Sequence, residues 1–133
     1  MTQITFPDAV NGRITCDSDP MNGVRVKIGS LDAQVNDDLK LSWQGCSDTS
    51  GKVPIPGTET SLTFKLTSGD IANGVEKTIG EYFQHIKPIK NGSALVTCTI
   101  NGGGGTSVSI VVMLLNTAGL TCDQVKPLKS SVR

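Results

Sequence analysis

Aromatic residues are scarce in this chain. It holds one Trp, one Tyr and three Phe in 133 residues, too few to build an aromatic platform for stacking sugars. Histidine is limited to His85, which sits beside Phe83 and Ile86 and reads as a structural or solvent-facing side chain rather than a general base. No Gly-x-Ser-x-Gly or His-Glu-x-x-His pattern occurs. The glycine run at 102–105 lacks the helix and the Lys-Ser/Thr that a phosphate cradle needs. No enzyme and no cofactor are expected. Charge of one sign is missing too: twelve basic and twelve acidic residues cancel without a basic stripe, which argues against nucleic acid as a partner. The longest apolar run, Ile110 to Leu115, falls far short of the ~20 residues of a membrane span, so no membrane insertion is expected. The opening MTQITFPDA has neither the charged start nor the apolar stretch of a signal peptide. Export is then expected by another route or through a leader that is removed.

What is present points to β-structure. A chain of this length suits one domain, able to bury roughly two thirds of its unfolded surface. Fifteen glycines, many Ser and Thr and few long 3.6-period stretches favour an all-β class. Cys16, Cys46, Cys98 and Cys122 lack the close paired spacing of a zinc site and read as disulfide candidates of an oxidising compartment, with buried free thiols as the alternative. Asp17 and Asp19 could join Asp37 and Asp38 around a calcium ion if the N-terminal segment folds over the turn at 36–38. Aspartates in turns more often serve the local backbone, and no metal is assigned.

The clearest element is a hairpin, Ser93 to Leu115. Ala94, Val96, Cys98 and Ile100 alternate with Leu95, Thr97 and Thr99, and Asn101 with four glycines turns the chain. If Val96 and Cys98 face a core, then Val108, Ile110, Val112 and Leu114 share that face. Leu95, Val111, Met113 and Leu115 fall on the other side as an apolar stripe. Either another segment covers it or it is an interaction patch for a neighbouring module, a partner or a second copy.

Upstream, Val24, Val26 and Ile28 alternate with Arg25 and Lys27, and Leu39, Leu41 and Trp43 repeat the pattern. Leu62, Phe64 and Leu66 mark a further strand, and Val75–Ile79 a short one. Gly45 to Gly57, with two prolines, reads as a loop. Tyr82 to Ile86 is the one place with helical spacing, limited by Pro88. Asn-Gly pairs at 11, 22, 73, 91 and 101 are read as turns.

In order, GVRVKI, NDDLKLSWQG, LTFKLTSGDI, FQHIKPIKNGSALVTCTI and SVSIVVMLL resemble the Ig-like modules repeated in large bacterial surface and secreted adhesins. Trp43 and Gly45 match their Trp-x-Gly element, and Ile86 to Gly92 their I-x-P-I-x-N-G turn. Val96, Cys98 and Ile100 match their Val-x-Tyr-x-Val strand, with Cys98 in the aromatic position. The resemblance implies an immunoglobulin-like antiparallel β-sandwich of about seven strands with one short helical turn. Residues 1–23 would be a lead-in packed on it, 24–115 the sandwich and 116–133 a tail. Ig topology would bring Cys46 to Cys16 and leave Cys98 for Cys122, with 46–98 and 16–122 as the second choice. The resemblance carries over no catalytic residue. It implies a non-enzymatic module for adhesion or protein recognition, extracellular or at the cell surface, with a protein or glycan partner. A secreted effector or toxin-associated protein binding a host receptor or glycan, and a structural spacer, are the alternatives. Binding would use loops at the poles: the tip Asn101, Gly102, Gly103, Gly104, Gly105 and Thr106, or the loop 45–60.

Overall fold

The computed structural model describes residues 3–29, 33–103 and 105–124. Among the described residues, eight strands run in chain order: β1 (Gln3–Thr5), β2 (Arg13–Thr15), β3 (Val24–Gly29), β4 (Asp38–Cys46), β5 (Thr60–Lys65), β6 (Val75–Ile79), β7 (Asn91–Ile100) and β8 (Thr106–Met113). They form two sheets, ordered β1-β3-β6 and β2-β8-β7-β4-β5. The all-β class is as the composition predicts. Pairing is not antiparallel throughout, however, because β2 lies parallel to β8 with Ile14 opposite Val112.

The hairpin faces are as the alternation requires. Val96 stands opposite Val108 and Ala94 opposite Ile110. Val96, Cys98, Ile110, Val112 and Leu114 are all buried. They share one core with Leu39, Leu41 and Trp43 of β4 and with Val24, Val26 and Ile28 of β3, which supplies the other sheet. Residues 1–23 are more than a lead-in: β1 pairs with β3 and β2 with β8, so the segment adds a strand to each sheet and sends Ile4 and Ile14 into the core. A bidentate ion pair fixes the span between them. Arg25 Nε and Nη2 donate to the two oxygens of Asp8 at 2.8 and 2.6 Å, and this bond holds the Asp8 carboxyl below its ordinary range.

Helical structure is slight. A six-residue helix, α1 (Ser68–Asn73), opens on a capping box in which Thr67 Oγ1 accepts from Asp70 N–H and Asp70 Oδ2 from Thr67 N–H. The expected turn at 82–86 is a π-type turn that buries Tyr82 and Ile86. Four Asn-Gly pairs turn or cap as expected, but Asn91 and Gly92 are the first residues of β7. A Cβ on Gly92 would collide with the carbonyl oxygen of Cys46, so glycine is there for a close backbone approach. The turn falls instead on Lys90, at φ 58°. Among the described residues, no helix is long and apolar enough to cross a membrane.

Cys16 and Cys122 form a disulfide, and Cys46 and Cys98 are free and buried. The first-choice pairing of 16 with 46 and 98 with 122 is therefore corrected. Cys98 points into the core opposite Thr106, toward the tip end of the hairpin, whereas Cys122 follows the opposite end of β8. Of the second choice, 16–122 forms and 46–98 does not.

Candidate interaction surface

The strand directions sort the loops into two poles. One holds the glycine tip 101–105, the segment 33–37 and α1. The other holds the 3-10 turns Cys16–Ser18 and Pro20–Asn22, the loop 47–59, the turns of 82–89 and the segment 114–124. The nine residues of β4 separate the poles by roughly 30 Å. The two loops expected to bind, 101–106 and 45–60, therefore cannot serve one ligand together. The same geometry disposes of the calcium arrangement. Asp17 and Asp19 lie at one pole and Asp37 and Asp38 at the other, and among the described residues no group of three His, Cys, Asp or Glu is placed to hold a metal. Asp37 accepts instead from Gln34 N–H, and Asp38 from Lys65 Nζ.

The tip is tied down at its start. Asn101 N–H donates to Asp38 O at 2.7 Å and Asn101 Oδ1 accepts from Asp38 N–H at 2.8 Å, clamping the end of β7 to the start of β4. Asn101 and Gly102 both take positive φ, the I′ geometry favoured in tight hairpins. Gly103 N–H closes on Ile100 O, and Gly105 passes so near Cys98 O that a Cβ would lie 2.8 Å away. Thr106 begins β8 opposite Cys98. Gly104 lies outside the described residues.

The apolar stripe on the outer face meets polar residues across the ladder. Leu95 stands opposite Ser109 and Val111 opposite Ser93, so neither apolar side chain has an apolar partner directly across the ladder. The loop 47–53 folds over this region, with Gly51 against Leu95 and Ser109. Leu95, Val111 and Leu115 are half-buried, and only Met113, at 41 %, is exposed. Among the described residues, the segment that lies against this stripe at Leu95 is the loop after β4.

That loop is built rather rigidly. Ser93 Oγ donates to Asp48 O and accepts from Gly51 N–H. The Asp48 carboxylate accepts from the N–H groups of Val53, Lys52 and Ser50, and those bonds, Val53 foremost, hold it below the ordinary carboxylate range. At the far end, buried Thr58 accepts from Gly45 N–H and donates to Ile55 O. Cys46 lies beneath this loop; burial, then the nearby Asp48 charge, pushes its thiol up. Burial does the same to Cys98, so neither is a ready nucleophile.

At the same pole, sequence reasoning missed a cluster centred on Asp123. Its carboxylate accepts from Tyr82 Oη at 2.9 Å, Thr121 Oγ1 at 2.8 Å and Lys87 Nζ at 2.9 Å. Burial alone would raise this carboxyl, but the bonds from Lys87, Thr121 and Tyr82 outweigh it and hold it at about 2. The Phe83 ring meets Tyr82 edge-on and Lys87 Nζ lies 5.3 Å from its centre, yet Phe83 remains 56 % exposed, the most exposed large apolar side chain among the described residues. The spacing of Tyr82, Phe83 and Lys87 hinted at a turn, but nothing local to it pointed to Asp123, 36 residues beyond Lys87. His85 is engaged in the same turn, its Nδ1 accepting from Glu81 N–H and its carbonyl from Trp43 Nε1. No protein family, curated protein or solved structure matches the chain.

Proposed function

We propose that the chain is an immunoglobulin-like β-sandwich that works outside the cell as a non-enzymatic module for adhesion or protein recognition. The observation that carries this reading is the path of the first fifteen residues, which place β1 beside β3 in one sheet and then cross to place β2 beside β8 in the other. With that crossing, β1, β3 and β6 correspond to strands A, B and E of an immunoglobulin sandwich, and β4, β5, β7 and β8 to C, C′, F and G. The Cys16–Cys122 bridge supports an oxidising compartment. Recognition is assigned to the pole of the 47–59 loop, where exposed Phe83 stands over a network already fixed by Asp123, so little ordering entropy is lost on binding.

The test is binding of the immobilised protein to a panel of extracellular-matrix proteins and cell-surface glycoproteins. Saturable binding to at least one of them, weakened about tenfold or more by Phe83→Ala and untouched by Asn101→Ala, is expected. Absence of saturable binding across the panel, or turnover in hydrolase and transferase assays, would contradict the proposal.

A further inference from the structure

The five-stranded sheet ends at β5, and among the described residues the backbone of 60–65 pairs only with β4. The opposing sheet has three strands, two fewer than this one. Leu62 and Phe64 consequently stay half-buried although both point toward the core, with Lys77 Nζ lying over the Phe64 ring at 4.5 Å. Natural edge strands are usually blunted by proline, a bulge or a covering segment. The run Thr60–Lys65 has no proline, and its register with β4 is unbroken from Thr60 to Lys65.

Charge then selects a partner. When a strand pairs antiparallel with a second copy of itself about a two-fold axis, cross-strand neighbours must share a face, so the axis passes through a residue and not between two. Glu59 and Lys65, both exposed, stand three residues to either side of Leu62. An axis at Leu62 sets Glu59 of each copy against Lys65 of the other, two ion pairs at once, with Leu62 meeting its own copy on the apolar side and Phe64 meeting Thr60. An axis at Ser61 or Thr63 opposes neither charge to the other.

We infer that β5 pairs with β5 of a second copy, centred on Leu62, joining two five-stranded sheets into one of ten strands. A single strand pair of this length buries an area at the low end of specific interfaces, below about 1,200 Å², so the dimer forms in a concentration-dependent way. Glu59 makes no ion pair among the described residues and is free to serve the partner. Lys65 would share its ammonium between Asp38 of its own chain and that Glu59.

Sedimentation equilibrium across a concentration series tests this. The wild-type chain is expected to dimerise, and Glu59→Lys or Lys65→Glu alone to weaken self-association about tenfold or more, as attraction turns to repulsion at two positions. Mixing the two single variants restores wild-type affinity, because each then carries what the other lacks, and the double exchange E59K/K65E restores it within one chain. Circular dichroism and melting confirm that each variant stays folded. A wild-type monomer at every concentration, single variants that associate as wild type does, or a mixture that recovers nothing would overturn the inference.

Discussion

Cys46 lies opposite Ser93 and Cys98 opposite Leu41 in the register of β4 with β7, so the two free thiols sit five positions apart on opposite faces of the same strand pair. That spacing is roughly 17 Å, far beyond the roughly 7 Å limit between bonded cysteine Cα atoms. No modest rearrangement joins them. Thiol titration of the unreduced protein is expected to find two groups after denaturation and almost none in the native state. Zero or four groups in the denatured, unreduced protein would contradict this cysteine arrangement.

The Cys16–Cys122 bridge closes nearly the whole chain, with a sequence separation of 106. In the chain-entropy account, a loop of that size is worth about 4 to 5 kcal/mol. Replacing both cysteines by alanine is expected to lower the unfolding free energy obtained from urea denaturation by an amount of that order, while Cys98→Ala produces a smaller, cavity-type loss of about 1 to 3 kcal/mol. Equal midpoints for wild type and the double variant would show that the bridge does not hold the fold.

Gly92 admits no side chain because Cys46 O and Ile89 occupy the place a Cβ would take. Gly92→Ala is expected to cost about 3 kcal/mol, typical of overpacking against backbone, whereas Gly12→Ala meets no neighbour and loses only through its positive φ of 77°. Denaturant melts of both variants check the order. A milder effect at Gly92 than at Gly12 would refute the close approach.

Asp123 makes stability depend on acid. Its folded value of about 2 lies below the ordinary 3.8, so the contribution of the Tyr82–Lys87–Thr121 bonds is fully present above about pH 4 and is lost as pH falls from 4 toward 2. Solvent screens part of it, since the side chain is 18 % exposed and Lys87 30 %. Melting temperatures of wild type and Asp123→Asn, followed from pH 6 to 2, are expected to converge at the acid end. Parallel curves would remove Asp123 from this role.

Much of the sheet was legible because β3, β4, β7 and β8 are long enough for period two to show, and their faces follow from alternation alone. β1 and β2 were not: Gln3–Thr5 and Arg13–Thr15 are three residues each, too short to alternate, and their partners lie far along the chain. The helix α1 did carry a local mark, Thr67 followed by Asp70, hidden by the glycine between them. Gly92 and Asp123 owe their roles to contacts with residues distant in sequence, Cys46 and Tyr82, which no local pattern encodes. The surroundings of the outer stripe were not legible, because apolar letters on one face say nothing of the serines opposite them or of the loop that Ser93 and Asp48 hold above.

The crossing of the N-terminal segment from one sheet to the other carries the proposed immunoglobulin-like reading, and nuclear Overhauser contacts of isotope-labelled protein test it most directly. Parallel-strand contacts between Ile14 and Val112 together with antiparallel contacts between Ile4 and Ile28 are expected. Residues 13–15 without contacts to 111–113, or paired to them in the opposite direction, would contradict the account.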